Sequence, residues 1–157
     1  MTTNKPKIAD WLDAQGAQYR VITFATPVYT VEQSAAQSGL DFSQIIKSML
    51  LVDDQNRFMM VCLPGTKKVS AGKVKQAAGL EKRPHFATDQ QVEDILGLKV
   101  GAVTALYGVG KVPIIFDESI KTLKECSLSA GEHRYEIVID TVDLIRLVQP
   151  TFAEVTP

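Results

Sequence analysis

Two apolar segments separated by a short polar turn constrain the fold of this chain more than any other feature. Residues 48–52 and 57–63 are rich in Met, Leu and Val, and the intervening residues 53–56 read Asp-Asp-Gln-Asn. Two such segments joined by a few polar residues predict an antiparallel hairpin. Parallel strands need long crossover connections, so this hairpin favours a mixed, largely antiparallel sheet over a doubly wound one.

Strand and helix patterns are interspersed along the rest of the chain. Capping motifs at Thr30 and Thr88, an N-cap at Ser70 and a cap at Thr141 mark helix starts. Together with apolar periodicity they predict helices at 7–15, 31–38, 71–78, 89–96 and 142–147, and strands at 19–25, 83–87, 112–117, 125–129 and 135–140. We therefore expect one mixed α/β (α+β) domain over residues 1–148, and a frayed tail over 149–157.

The composition excludes several classes of protein. With 45% apolar residues and a net charge of −1, the chain has no overall attraction to polyanions, so such a partner needs a local basic patch. No apolar run approaches the length of a membrane span, and no hydrophobic signal segment follows the N-terminus. We expect a cytoplasmic protein. Cys62 and Cys126, which form no CxxC motif, are predicted to be buried free thiols.

A glycine-rich stretch is the first candidate site. Four of the ten glycines lie at 97, 101, 108 and 110, between apolar residues. Glycine admits positive φ and lets another molecule approach the main chain closely. The pattern predicts either an ordered wall with exposed peptide groups or two tight turns around a short strand, and the residues alone favour neither.

Common catalytic motifs are missing from the sequence. Gly110-Lys111 is followed by Val112 and so does not complete a P-loop, and neither GxGxxG nor GxSxG occurs. His85 and His133 are isolated in sequence, and a structural role is expected for His85. No pattern of metal ligands is present, so an enzyme built on this chain would rely on positioning, backbone donors and one cation.

The sequence offers lysines both as the single cation that such an enzyme needs and as a basic patch. Lys47 interrupts an apolar segment and in strand register shares a face with Met49 and Leu51. It would pair, reach solvent at the strand's start, or point into a cleft. A second basic segment, residues 65–83, contains Lys67, Lys68, Lys73, Lys75, Lys82 and Arg83. It reads either as a phosphate-binding face or as an ordinary solvated helix face.

These features together resemble the YbaK and prolyl-tRNA-synthetase-associated editing domain family. The resemblance runs from about residue 8 to residue 148. It rests on VEQSAA (31–36), QIIK (44–47), KVSAGK (68–73), AT (87–88), VGAVT (100–104), IFD (115–117) and SAG (129–131). Each motif alone is weak, and their order and spacing carry the likeness.

The resemblance implies a barrel-like mixed sheet and metal-independent, cofactor-free hydrolysis of mischarged aminoacyl-tRNA. The implied substrate is the acceptor end of tRNA(Pro) carrying Cys, Ala or Ser. Prolyl-tRNA synthetase is an implied partner, and the oligomeric state stays open.

The resemblance also assigns residues to roles. Lys47 matches the family's essential lysine, and Gly101 matches the first glycine of its GxxxP loop. The implied substrate-binding residues are Phe24, Ala102, Val103, Thr104 and Ser129. We expect Lys67, Lys68 and Lys73 to contact tRNA.

The sequence departs from the family at Ala105, where the loop usually has proline. Proline fixes φ, so its loss could loosen the loop or reshape the pocket. Two alternatives therefore stay open: a non-catalytic module of the same fold that binds tRNA or a synthetase, and a small-molecule hydrolase or binding protein that uses the pocket without RNA.

Overall fold

The computed structural model describes residues 5–157, which form five α-helices and eight β-strands. The helices are α1 (Ile8–Ala14), α2 (Val31–Ser38), α3 (Ala71–Ala78), α4 (Asp89–Leu96) and α5 (Thr141–Val148). The strands are β1 (Tyr19–Thr23), β2 (Ile46–Val52), β3 (Phe58–Pro64), β4 (His85–Phe86), β5 (Ile114–Asp117), β6 (Glu125–Ser129), β7 (Tyr135–Asp140) and β8 (Thr151–Ala153). Short 3-10 helices cover Phe42–Gln44, Ala105–Tyr107 and Glu118–Thr122.

The strands form two sheets. A five-stranded sheet has the order β4-β2-β3-β5-β8, and a three-stranded sheet has the order β1-β7-β6. The β3–β5 and β5–β8 pairs are parallel and the other pairs are antiparallel, which confirms the mixed, largely antiparallel prediction. Among the described residues a single parallel bridge between Ile45 and Ser127 joins the sheets, so they do not close into the barrel that the resemblance implied.

The predicted hairpin is β2–β3. Lys47 pairs with Leu63 and Leu51 with Met59, and the turn between the strands is closed by Asp53. The Asp53 carboxylate accepts hydrogen bonds from the backbone N–H groups of Gln55 and Arg57, both at 2.9 Å. A buried carboxylate that accepts backbone N–H bonds holds such a turn closed.

Of the four predicted helix N-caps, three are at the predicted residue and one is shifted. The caps at Thr30, Ser70 and Thr88 are correct. Thr88 forms the complete capping box with Gln91. Thr30 Oγ1 accepts from the backbone N–H of Gln33, but the Gln33 side chain accepts from Tyr29 N at 2.8 Å rather than from Thr30. α5 is capped by Asp140 and not by Thr141. The Asp140 carboxylate accepts the N–H of Val142, two residues further along, and so satisfies one of the free N–H groups at the start of the helix.

The apolar side chains pack into two layers on opposite faces of the five-stranded sheet. The larger layer includes Ile46, Leu50, Met60 and Cys62, and the smaller layer includes Leu51, Met59, Val61 and Leu63. This alternation along β2 and β3 is the two-residue period of a strand that is buried on both faces.

Both cysteines are buried and free, as predicted. Burial raises the pKa of the Cys62 thiol to about 12 and that of Cys126 to about 11. Thiols with such pKa values stay protonated near neutral pH and are poor nucleophiles. Within residues 5–157 no helix is long and apolar enough to cross a membrane.

The C-terminal segment corrects the expectation of a frayed tail. After a left-handed turn at Gln149 (φ 50°), β8 adds to the five-stranded sheet beside β5. Val155 is fully buried, its N–H donates to Asp117 Oδ1 at 3.1 Å, and its carbonyl accepts from Ser70 N at 2.7 Å. The short apolar pattern around Phe152 was too brief to read as a strand, and pairing with β5 orders it.

We expect the substitution Val155→Ala to lower the free energy of unfolding by about 2 kcal/mol, because it removes two buried methyl groups. The matched control is Val142→Ala, since Val142 is 74% exposed. That change should move the unfolding free energy by less than about 0.5 kcal/mol. Chemical denaturation of both variants measures the difference. Equal stabilities would mean that the C-terminal segment does not pack in solution.

Candidate functional site

A cleft of about 290 Å³ lies between the two sheets, beside β2. Its walls come from the segment after β1, α2, β2, the β4–α4 region, the glycine-rich loop and the β6–β7 turn. The lining residues that the following paragraphs use are Phe24, Tyr29, Ser34, Lys47, Ser48, Met49, Phe86, Gly101, Val103, Ser129, His133 and Glu136.

The cleft exists because β2 is only partly paired on one side. β3 pairs with β2 along its whole length, whereas on the other side β4 pairs with Leu51 and Val52 and the bridge at Ile45 joins β6. Ala87 N donates to Leu50 O at 2.9 Å, so the even-numbered residues of β2 direct their peptide groups away from β3. By this alternation the N–H and C=O of Ser48 face the cleft.

Lys47 lies at this opening with a half-buried side chain that lines the cleft. Its register places it on the face of Met49 and Leu51, as the sequence predicted. Burial lowers the pKa of the Lys47 ammonium below its ordinary value; the carboxylate of Glu32 opposes this shift and the nearby Lys68 adds to it. Burial thus disfavours the charged form of Lys47, and an anionic group bound beside it in the cleft would favour that form.

Gly101 faces the same cleft and is held by close neighbours. Its φ of 89° lies in the left-handed region, and a Cβ there would sit 3.1 Å from Tyr29 O and 3.3 Å from His133 Nε2. His133 Nε2 donates to Val100 O at 3.0 Å, and its ring stacks on Tyr29 with centroids 4.4 Å apart. Glycine is required here by both backbone conformation and space. The loop is an ordered wall, as one of the two sequence interpretations predicted.

Ala105, which the resemblance places where proline is usual, lies in a stretch held by a side-chain cap and by burial. Thr104 Oγ1 accepts from Leu106 N at 3.4 Å and begins the 3-10 helix Ala105–Tyr107. Thr104, Ala105 and Leu106 are all buried. A cap and packing thus support the loop at this position.

The turn that follows β6 supports this loop from the other side. Ser129 Oγ accepts from Gly131 N at 3.1 Å, and Gly131 has a φ of 87°. A Cβ on Gly131 would overlap the ring of Tyr107, so only glycine lets that ring pack against the turn. The SAG motif is therefore a close contact between the turn and the end of the glycine-rich loop.

The structure brings together five of the seven residues predicted to be catalytic or substrate-binding. Phe24, Lys47, Gly101, Val103 and Ser129 line the cleft. Ala102 and Thr104 are buried behind the loop and do not line it. Ala102 N donates to Lys99 O at 3.0 Å, which closes the turn before Val103.

The three predicted tRNA contacts lie in and after the loop that follows β3. Lys73 Nζ is 2.7 Å from Glu154 Oε1, and Lys67 Nζ is 3.9 Å from Asp117 Oδ2. Lys68 is exposed, makes no ion pair within 4.0 Å to any residue of 5–157, and is near enough to Lys47 to lower its pKa. Of these lysines, Lys68 extends the positive charge of the cleft.

Glu136 is a cleft residue that the sequence did not indicate. Its side chain is buried in β7 and accepts a hydrogen bond from Ser34 Oγ at 3.0 Å. Burial raises the pKa of the Glu136 carboxyl to about 7, and the hydrogen bond from Ser34 opposes this shift. No hydrogen bond within 3.5 Å reaches the buried Ser127 Oγ. The cleft thus contains a carboxyl group that titrates near neutral pH.

His133 was also missed, because it lies far in sequence from the residues it contacts. Its backbone carbonyl accepts from Val28 N at 2.7 Å, and its ring donates to Val100 O.

An acidic residue within the apolar pattern of β7 was the available signal for Glu136. His85 lies exposed on β4 and does not line the cleft. Residues 5–157 contain no cluster of three or more His, Cys, Asp or Glu side chains suited to a metal ion.

Comparison with known proteins identifies the relatives of this chain. Residues 25–147 match the family model described as the aminoacyl-tRNA editing domain. A proline–tRNA ligase of Macrococcus caseolyticus is 34% identical over 117 residues, which cover 74% of this chain and 20% of the ligase. A proline–tRNA ligase of Limosilactobacillus reuteri is 32% identical over 125 residues, covering 76% and 21%. The chain spans about a fifth of the length of these curated relatives.

Solved structures share the fold. A hypothetical protein superposes with a TM-score of 0.87 at 23% identity, over 96% of this chain and 99% of that one. A candidate trans-editing enzyme for prolyl tRNA synthetase superposes with a TM-score of 0.82 at 21% identity, over 96% and 94%. At these identities the likeness establishes the fold.

The substitution Glu136→Gln should stabilise the protein more at pH 8 than at pH 5. The raised pKa means that the folded chain holds this proton more tightly than the unfolded chain, so stability falls as pH rises from about 4.5 to about 7. Glutamine keeps the shape and cannot ionise. The stability difference from wild type should grow by up to about 3 kcal/mol across that range. Denaturation curves at pH 5 and pH 8 measure it, and a pH-independent difference would contradict the buried carboxyl.

Proposed function

This chain belongs to the aminoacyl-tRNA editing domain family, and on that premise we propose that it deacylates mischarged aminoacyl-tRNA. One observation supports the proposal: Lys47 and Gly101 line the same cleft. A cation and preorganised peptide groups around a small cavity are what hydrolysis of an activated ester requires.

In the proposed reaction, water adds to the ester carbonyl at the 3′ end of the tRNA. The bond between the carbonyl carbon and the ribose oxygen breaks, and the proton lost by water ends on that oxygen. The products are a free amino acid and uncharged tRNA. Lys47 holds the terminal phosphate or ribose, and peptide N–H groups near Gly101 stabilise the developing oxyanion. The N–H of Ser48, which faces the cleft by strand alternation, is a second candidate donor.

The size of the cleft supports a small aminoacyl group. A volume of about 290 Å³ is at the lower limit of small-molecule sites, which span ~300–1,000 Å³. The buried ring of Phe24 and the side chain of Val103 line it, and Ala102 and Thr104 hold the loop from behind. We propose Cys, Ala or Ser as the amino acids removed.

The relatives support the choice of tRNA and partner. Proline–tRNA ligases contain a segment like this chain, so we propose tRNA(Pro) as the substrate and prolyl-tRNA synthetase as a partner. We propose that the reaction takes place in the cytoplasm. We also propose that it needs no metal, because Lys47 and backbone groups supply the electrostatic stabilisation.

A panel of mischarged tRNAs tests the proposal. The purified chain should release Cys, Ala or Ser from tRNA(Pro), should leave prolyl-tRNA(Pro) intact, and should keep its rate after treatment with a chelator. Loss of radiolabelled amino acid from the tRNA is the measurement. Turnover of none of the mischarged tRNAs would reject the deacylase function.

The substitution Lys47→Ala should lower the deacylation rate constant about 100-fold or more, because Lys47 is the only lysine or arginine among residues 5–157 that lines the cleft. Lys121→Ala is the matched control, since Lys121 is exposed and does not line the cleft. Both variants should keep the wild-type unfolding midpoint within a few degrees. A Lys47→Ala variant that retains the wild-type rate would reject the role of Lys47.

A non-catalytic module of the same fold is the second candidate, and the substitution of proline by Ala105 is the observation in its favour. Such a module would bind mischarged tRNA(Pro) or a synthetase without turnover. Binding with no release of amino acid in the panel would select it over the deacylase.

We propose that Lys67, Lys68 and Lys73 contact the acceptor stem, with Lys68 contributing most. Lys73 already pairs with Glu154 and Lys67 lies near Asp117, so their charges are partly neutralised. Lys68 has no such neighbour within residues 5–157 and is close to the cleft.

Lys68→Ala should weaken tRNA binding more than Lys73→Ala does. The slope of log affinity against log salt should fall by about one, the loss expected for one phosphate contact. Titrations at several salt concentrations measure both quantities. If the two variants bind with equal affinity and equal slopes, Lys68 makes no special contact.

A further inference from the structure

Phe86 is a large apolar side chain that packing within the chain does not explain. It is 58% exposed, yet it lies at the opening of the cleft on the short edge strand β4. Tyr29 is as exposed at the same opening, but its ring is stacked on His133. Aromatic rings at the edge of a cleft commonly serve as contact surfaces for a ligand.

The register of the sheet places Phe86 beside the basic side of the cleft. Phe86 pairs with Leu51 across β2–β4, and directly opposed residues of an antiparallel pair share a face. Lys47 and Met49 lie on that same face of β2. Lys68 is near enough to Lys47 to affect its pKa. The exposed ring of Phe86, the thioether of Met49 and the side chain of Lys47 therefore line one cleft, with Lys68 near Lys47.

We propose that the ring of Phe86 is the stacking platform for the terminal adenine of the tRNA 3′ end. This proposal rests on the proposed function and deepens it. The proposed function gives binding positions for the ester and the phosphate, and this proposal adds one for the terminal adenine. A nucleobase offers a flat π-face for the ring, and the adjoining phosphate reaches the ammonium groups of Lys47 and Lys68.

The charges favour a nucleotide over an apolar protein partner. A protein surface that covered Phe86 would also bury the ammonium of Lys47 or leave it unpaired, which costs free energy. A nucleotide satisfies both features at once, since its base stacks and its phosphate carries the opposite charge. The base then lies at the opening of the cleft and the ester inside it.

The test uses an uncharged RNA minihelix that ends in CCA, with 2-aminopurine in place of the terminal adenine. Stacking on Phe86 should quench the probe when wild-type protein binds. The variant Phe86→Ala should bind about 5- to 150-fold more weakly and should leave the bound probe unquenched. Phe86→Trp should restore both affinity and quenching. The same probe placed in the double-stranded stem should respond equally to wild type and to Phe86→Ala.

Val142→Ala is the control for loss of an exposed apolar side chain, because Val142 is 74% exposed and lies outside the cleft. It should bind and quench like wild type. Wild-type affinity and quenching in Phe86→Ala would overturn the stacking role. The stacking role would also be overturned if Phe86→Ala weakened only the binding of prolyl-tRNA synthetase. That result would assign Phe86 to a protein contact.

Failure of this proposal and of the proposed function are distinguishable. The minihelix carries no amino acid, so its binding does not depend on catalysis. A chain that deacylates the panel of tRNAs but binds the probe without Phe86-dependent quenching keeps the function and loses the stacking platform. A chain that quenches the probe through Phe86 and turns over no substrate keeps the platform and loses the deacylase function.

Discussion

Incomplete pairing along one side of β2 is the constraint on which the site depends. β3 occupies the other side of the strand fully, so β2 is held rigidly in the sheet. On the open side β4 and the bridge at Ile45 approach from the two ends and leave a gap between them. A strand interior normally has its peptide groups paired, and groups left free must be solvated or bound by a ligand. The gap therefore creates a cavity and polar groups inside it at the same time.

The glycine-rich loop that forms another wall of the cleft is held in place by side-chain contacts. Here the cap of Thr104, the burial of Ala105 and the ring of His133 hold the loop, with no proline at position 105. A side chain larger than glycine at 101 would displace Tyr29 or His133. Rigidity of such a wall matters because preorganised peptide groups stabilise charge without first having to reorient.

The sequence predicted local structure well, because caps and two-residue alternation act between neighbouring residues. The β2–β3 hairpin, the capping box at Thr88 and the buried thiols follow from such patterns. The mixed, largely antiparallel sheet was also predicted, whereas whether it closes into a barrel depends on strand pairings that no local pattern encodes. The prediction of a frayed tail was wrong for a similar reason. Residues 151–153 form β8 only because they pair with the edge of β5.

The site was predictable where a residue's type and strand register were sufficient. Lys47 stood out as a charge in an apolar strand, and Gly101 as part of a glycine cluster. Glu136 carried a similar signal, an acid within the apolar pattern of β7, but nothing local placed it or His133 in the cleft. Their positions in the cleft come from the pairing of β7 with β6 and from the packing of α2, which joins Ser34 to Glu136 across 102 residues of sequence.

The bond between Ser70 N and Val155 O has a practical consequence for handling this domain. It fastens the end of the chain to the first turn of α3, directly behind the loop that carries Lys68. Shortening the C-terminus for crystallisation or fusing a tag there would disturb a basic surface more than 80 residues away in sequence. Truncations made for RNA-binding work should accordingly keep residues 151–155.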